Sequence, residues 1–174
     1  LAQPEPLPEI LISKAPVEYL DEDVLASAEK IELRLPPVPR FIFVVHGSAA
    51  IGEETVREGE AWQGDTAVKI KPGATGVTCW RWELARGDQG STTANAPGMV
   101  THEKLTAFLE TLPKGDLLMR GDSVAFPPGG CAYLHRHQGP GIRCLIEGGI
   151  RIDTHGRSTS FGPGGAWYES GPDA

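Results

Sequence analysis

The sequence predicts an all-β protein built from two related halves, on the basis of three observations. The apolar residues fall in short runs rich in β-branched side chains, such as residues 40–45 and 142–146. The chain holds 22 Gly and 15 Pro, a composition typical of short strands joined by tight turns. A segment near the N-terminus recurs roughly 100 residues later, which indicates a duplicated β-unit.

Alternating and apolar segments predict where the strands lie. Ile31, Leu33 and Leu35 alternate with charged residues, as in a strand that is buried on one face. Further strands are expected at residues 40–45, 55–57, 67–70, 77–84 and 166–169. One segment differs, because apolar residues at helical spacing predict a short helix over residues 101–112.

The repeat predicts the domain organisation. Residues 31–47 align with residues 132–148 through a turn, an apolar strand and a closing glycine. Further on, residues 59–62 align with residues 164–167, with an offset that is larger by four residues, which a longer hairpin in the second copy would explain. We therefore predict two units, residues 9–85 and 99–174, joined by a Gly- and Ser-rich linker at residues 86–98.

The second unit contains a His-x-His motif flanked by glycines. Because side chains in a strand repeat every second residue, Tyr133, His135 and His137 are expected on one face of a strand. Two imidazoles on one face can point at the same atom, which is the arrangement a divalent metal ion needs from a β-scaffold. His135 and His137 are the candidate metal ligands.

Residues 129–148 resemble the first motif of the cupin superfamily, G-x5-H-x-H-x3-4-E-x6-G. The resemblance implies that the chain is a bicupin, with two jelly-roll β-barrels of the double-stranded β-helix type. It also implies a divalent ion such as Fe, Mn, Zn or Ni as cofactor.

The sequence departs from the cupin pattern at several positions. Gly141 stands where the family places its glutamate ligand, and the histidine of the second motif would fall one residue beyond Ala174. A cupin barrel also needs a further strand there, so we expect either a longer chain or a strand from a partner subunit. In the N-terminal copy Arg34 and Pro36 replace the two histidines, so that copy is expected to be metal-free.

Four further residues are candidates for ligand binding. Arg143 is expected on the same strand face as position 141, where the glutamate is missing. A guanidinium there favours a ligand with a carboxylate or phosphate group. Trp167 and Glu169 share a face of their strand, and Glu169 is either a replacement metal ligand, a general base or a solvated carboxylate. Tyr133 either lines the pocket or belongs to the core.

Composition narrows the function classes. A net charge of −7 and a pI near 5.2 argue against nucleic acid or an anionic membrane as partner, and no apolar run approaches the roughly 20 residues of a membrane span. We expect a small-molecule ligand and a homodimer. Three cysteines without a Cys-x-x-Cys spacing favour the cytoplasm, unless a signal peptide was removed before Leu1, in which case the protein is periplasmic or secreted.

Three functions stay open. The first is a metal-dependent enzyme of the dioxygenase, isomerase or hydrolase type that acts on a small polar or acidic substrate. The second is a metal-free cupin that binds or senses a small molecule. The third is a structural or interaction protein, which the degenerate N-terminal copy favours.

Overall fold

The structure, a computed structural model, describes residues 16–87, 89–109 and 112–172, and the regular secondary structure in these ranges consists of strands. The predicted all-β class is confirmed. The strands are β1 (Pro16–Leu25), β2 (Leu33–Leu35), β3 (Arg40–Ile51), β4 (Glu54–Arg57), β5 (Ala61–Gly64), β6 (Val68–Arg86), β7 (Asn95–Ala96), β8 (Met99–Phe108), β9 (Gly141–Cys144), β10 (Ile150–Thr154), β11 (Arg157–Phe161) and β12 (Ala166–Glu169).

Strands β1 to β8 form one antiparallel sheet around the long strands β3 and β6. The register of β3 against β6 shifts on both sides of Gly47, which has a positive φ of 77°. A Cβ at Gly47 would lie 2.1 Å from the carbonyl oxygen of Gly76, so only glycine permits this close approach. The main strand order runs from β4 to β7 without joining these ends, so no closed barrel is seen in the described residues.

The two faces of the sheet bury different clusters. The face we call inner carries Asp21 and Asp23 of β1, and its apolar core includes Ile42 and Val44. The face we call outer carries Glu18 and the cluster around Leu20, Trp80, Ala107 and Ile142. Because Ile142 belongs to β9 and Ala166 and Tyr168 of β12 pack against the same cluster, the pair of β9 and β12 lies on the outer face of the main sheet.

The helix predicted over residues 101–112 is wrong where the structure describes it. Residues Met99–Phe108 form strand β8, which pairs with β1. Leu105 and Ala107 pack in the outer-face cluster. Pairing with β1 and burial on this apolar face therefore stabilise a strand here, although the spacing of the apolar residues favours a helix. In the described part of the chain, no helix is long and apolar enough to cross a membrane.

The C-terminal strands repeat the pairing of the N-terminal ones. In β3 and β5, Phe43 pairs with Ala61, and in β9 and β12 Cys144 pairs with Ala166, which are the equivalent positions of the repeat. The hairpin of β10 and β11 is longer than that of β3 and β4, because residues 151–160 take the place of residues 50–55. The predicted four-residue insertion in a hairpin is thus confirmed.

The strand predicted across the His-x-His motif is wrong. Residues 121–140 form no strand, and regular pairing begins only at Gly141. Pro127 and Pro128 precede the motif and Pro140 follows it, and none of them can donate to a strand ladder. Tyr133, His135 and His137 therefore lie on an irregular segment and not on one face of a strand.

Candidate functional site

Strands β9 and β12 bring three of the predicted site residues together. Arg143 of β9 lies directly opposite Trp167 of β12, and Glu169 lies opposite Gly141. Because residues two apart in a strand share a face, Arg143, Trp167 and Glu169 are neighbours on one side of the strand pair. Glu169 is therefore the carboxylate across from the position where the cupin pattern has its glutamate.

Three donors converge on the Glu169 carboxylate. His137 Nε2 lies 2.8 Å from Glu169 Oε2, and the Arg143 guanidinium lies 3.3 Å from the same oxygen. Trp167 Nε1 donates a hydrogen bond of 2.9 Å to Oε1. The side chain of Glu169 is 19% exposed, that of Arg143 28% and that of His137 38%, so the cluster is open to small solutes.

Gly141 makes room for Arg143. A Cβ at this position would lie 2.6 Å from Nη1 of Arg143, closer than real Cβ contacts. The glycine thus lets the guanidinium lie beside the strand next to Glu169.

Glu18 of β1 lies beneath this cluster and was missed by the sequence analysis. Its side chain is buried, and the backbone N–H of Ile142 donates to Glu18 Oε1 over 3.3 Å. Burial raises the pKa of Glu18 to about 7, against the opposing effects of this hydrogen bond and the positive charge of Arg143. A buried carboxyl group that titrates near neutral pH beside a half-exposed arginine is typical of functional sites.

The sequence held no signal for Glu18. Asp21, Glu22 and Asp23 follow it closely, and such an acidic composition is typical of exposed turns. Only the packing of β9 on the outer face buries Glu18.

The other two predicted residues lie at the margin. The rings of His135 and His137 meet edge to face with centroids 5.0 Å apart, and His135 Nδ1 lies 2.6 Å from the Tyr133 carbonyl oxygen. The Tyr133 side chain is 90% exposed, so it neither lines a pocket nor belongs to the core. The structure therefore brings together His137, Arg143, Trp167 and Glu169, with His135 beside them and Tyr133 outside.

The donor types of this cluster suit a divalent ion, but their arrangement does not. Two imidazoles and one carboxylate are proper ligands for the metals that the cupin resemblance implies. However, Arg143 holds a positive charge 3.3 Å from the carboxylate oxygen that such an ion would need. The described residues include no group of three or more His, Cys, Asp or Glu placed to hold a metal ion.

Comparison of the chain with family models, with curated proteins and with solved structures found no match.

Proposed function

We propose that this chain binds a small polar acid at the cluster around Glu169, and that it does so without a metal ion. The observation that supports this most directly is the convergence of His137, Arg143 and Trp167 on one partly buried carboxylate. A guanidinium has five N–H donors, and the Glu169 contact occupies one of them. The others can bind a carboxylate that arrives from solvent.

The same cluster offers the ligand an acceptor and an apolar wall. Glu169 can accept a hydrogen bond from a hydroxyl or amine of the ligand. Trp167 stacks on Phe161 with ring centroids 5.0 Å apart, which gives a flat apolar surface beside the charged groups. These features favour a hydroxy acid or an amino acid over a purely apolar ligand.

Binding of malate, compared with its uncharged diamide, tests this proposal by calorimetry. We expect malate to bind and the diamide to bind at least about tenfold more weakly, because a charge-assisted contact to Arg143 is lost. Arg143→Lys is expected to weaken malate binding by about tenfold, since lysine cannot reproduce the planar fork. Arg151→Lys is the matched control, because Arg151 is an exposed arginine of β10.

Two outcomes would contradict the proposal. Either malate and its diamide bind equally, or the Arg143 and Arg151 variants bind malate alike. Gly141→Ala supplies a second probe, because its Cβ displaces the Arg143 guanidinium without removing it. Gly139→Ala is the matched control, because a Cβ at Gly139 meets only ordinary contacts with Pro113.

A metal-dependent enzyme is the second candidate, and it is favoured by the contact of His137 with Glu169 and by the closeness of the His135 ring to that of His137. It requires Arg143 to move away from Glu169, since a cation and the guanidinium would compete for the same oxygen. Elemental analysis of protein purified without chelator, with the His135→Ala and His137→Ala double variant as control, separates the candidates. Metal that is present in the parent and absent from the double variant supports the second candidate.

We propose further that the two halves derive from one duplicated unit of the cupin type. The equivalent registers of β3 with β5 and of β9 with β12 support the duplication. The jelly-roll barrels and the homodimer remain predictions, and the dimer is checked by light scattering of the purified chain.

A further inference from the structure

Three cations lie side by side on β2 and β6, far from the Glu169 cluster in the chain. Arg34, Lys69 and Lys71 have side chains that are 75%, 53% and 60% exposed. Their neighbours Leu35, Val68 and Ile70 are buried in the inner-face core, so alternation along the strands fixes the three cations on the side away from it.

The register of these strands places two like charges directly opposite each other. Arg34 pairs directly with Lys69 across the two strands. Like charges at directly opposed positions destabilise a sheet, so this pair needs a compensating anion.

Glu32 supplies part of that compensation. Its carboxylate lies 2.8 Å from Arg34 Nε, 3.6 Å from Lys69 Nζ and 3.5 Å from Lys71 Nζ. Desolvation alone would raise the pKa of Glu32, but the positive charges of Lys69, Arg34 and Lys71 hold it below its ordinary value. One carboxylate among three cations leaves an excess of positive charge, although the whole chain has a net charge of −7.

An open depression of about 720 Å³ lies at the same place. Arg34, Lys69 and Lys71 line it together with small apolar residues such as Ala50 and Ala67. The charged residues that line the depression are the three cations, and the carboxylate that an entering anion meets is that of Glu32, which contacts all three of them.

We propose that this depression is a second binding site, which takes a small multivalent anion of the phosphate or sulfate type. Arg34 supplies the planar fork that matches a tetrahedral oxyanion, and the two lysines of the neighbouring strand β6 add point charges, Lys69 directly opposite Arg34 and Lys71 two residues further on. Glu32 competes with the anion for the same cations and so sets the affinity. This site uses neither Arg143 nor Glu169 and stands apart from the proposed acid-binding function.

Calorimetry with inorganic pyrophosphate at low salt tests the proposal. We expect the Lys69→Gln and Lys71→Gln double variant to bind pyrophosphate at least about tenfold more weakly than the parent. We expect Glu32→Gln to bind it several-fold more tightly, since the competing carboxylate is gone. Lys114→Gln is the matched control, because Lys114 is an exposed lysine outside the depression.

The two opposite shifts make the test specific. If pyrophosphate were attracted only by the general charge of surface lysines, Lys114→Gln would weaken binding as well, in proportion to one lost charge against two in the double variant. The proposal is overturned if pyrophosphate does not bind to the parent, if Glu32→Gln fails to strengthen binding, or if the double variant behaves like Lys114→Gln. Arg143→Lys should leave pyrophosphate binding unchanged, which keeps this outcome separate from that of the malate experiment.

Discussion

Arg81 is the residue that organises the charges buried on the inner face. It is fully buried, and its guanidinium donates to both oxygens of Asp23 over 2.7 and 3.1 Å. It also contacts Glu83, which in turn pairs with the buried Arg40. Since each of these charges lies beside an opposite one, the cluster is tolerated in the apolar core.

Asp21 is the exception in this cluster. It is fully buried, and its carboxylate lies 3.6 Å from Arg81 Nη2, too far for a hydrogen bond, with Ser91 as a second polar neighbour. Burial raises the pKa of Asp21 to about 6, because desolvation outweighs the attraction of Arg81. The negative charge on Asp21 is thus disfavoured by the fold, whereas Asp23 accepts two hydrogen bonds from Arg81.

Substitution of these two aspartates by asparagine should affect stability differently. Asp23→Asn weakens a buried pair with Arg81 and is expected to lower the free energy of unfolding by about 3 kcal/mol. Asp21→Asn removes a disfavoured charge and is expected to leave stability at pH 8 unchanged or higher. Urea unfolding at pH 8 measures both, and an Asp21→Asn loss as large as that of Asp23→Asn would refute this account.

Strands β9 and β12 form an element whose position depends on the outer face of the main sheet. Ile142 is 7% exposed and packs in the cluster with Leu20 and Trp80. Trp82 Nε1 donates to the Ile142 carbonyl oxygen over 3.1 Å. These contacts hold the strand pair, and with it the Glu169 cluster, against the sheet.

Ile142→Ala should loosen this element. The substitution removes a buried apolar side chain and is expected to cost about 2–5 kcal/mol in stability and to weaken malate binding, since Arg143 is the next residue. Leu118→Ala is the control, because Leu118 is 82% exposed and its truncation should cost less than about 0.5 kcal/mol. Urea unfolding and calorimetry measure the two effects, and equal stability of both variants would show that the strand pair does not depend on this contact.

The whole molecule should respond to pH through its buried carboxyl groups. In the folded state the pKa of Glu18 is raised to about 7 and that of Asp21 to about 6, above their ordinary values. The folded protein therefore binds more protons than the unfolded chain between about pH 4 and pH 7, so stability falls as pH rises through this range. Glu32 and Asp153 have lowered pKa values and act in the opposite direction, but only at more acidic pH.

This pH dependence can be checked by urea unfolding at pH 5 and pH 8. We expect the parent to be less stable at pH 8 than at pH 5, and the Glu18→Gln and Asp21→Asn double variant to lose most of that difference. If the double variant keeps the full difference, other groups carry the pH dependence.

Prediction from sequence succeeded where the determining interactions are local. The β class, the strands at residues 55–57 and 166–169, the repeat and its longer hairpin follow from alternation, turn residues and spacing. Within the candidate site, the shared face of Trp167 and Glu169 follows from strand parity in the same way. The local pattern gave a wrong prediction for residues 101–108, which pair with β1 as a strand, and for the His-x-His segment, which has no strand partner.

The sequence by itself therefore determined the all-β class, the duplicated pairing pattern and most residues of the Glu169 cluster, because side-chain parity and turn chemistry act over a few residues. Only the tertiary structure decided that β1 is a central strand, that Glu18 lies beneath Arg143 and that Asp21 and Asp23 are buried with Arg81. These placements join residues about 60 to 120 positions apart in the chain. Burial and charge pairing at that distance depend on how strands stack and in which register, and a single strand's pattern carries no information about its distant partner.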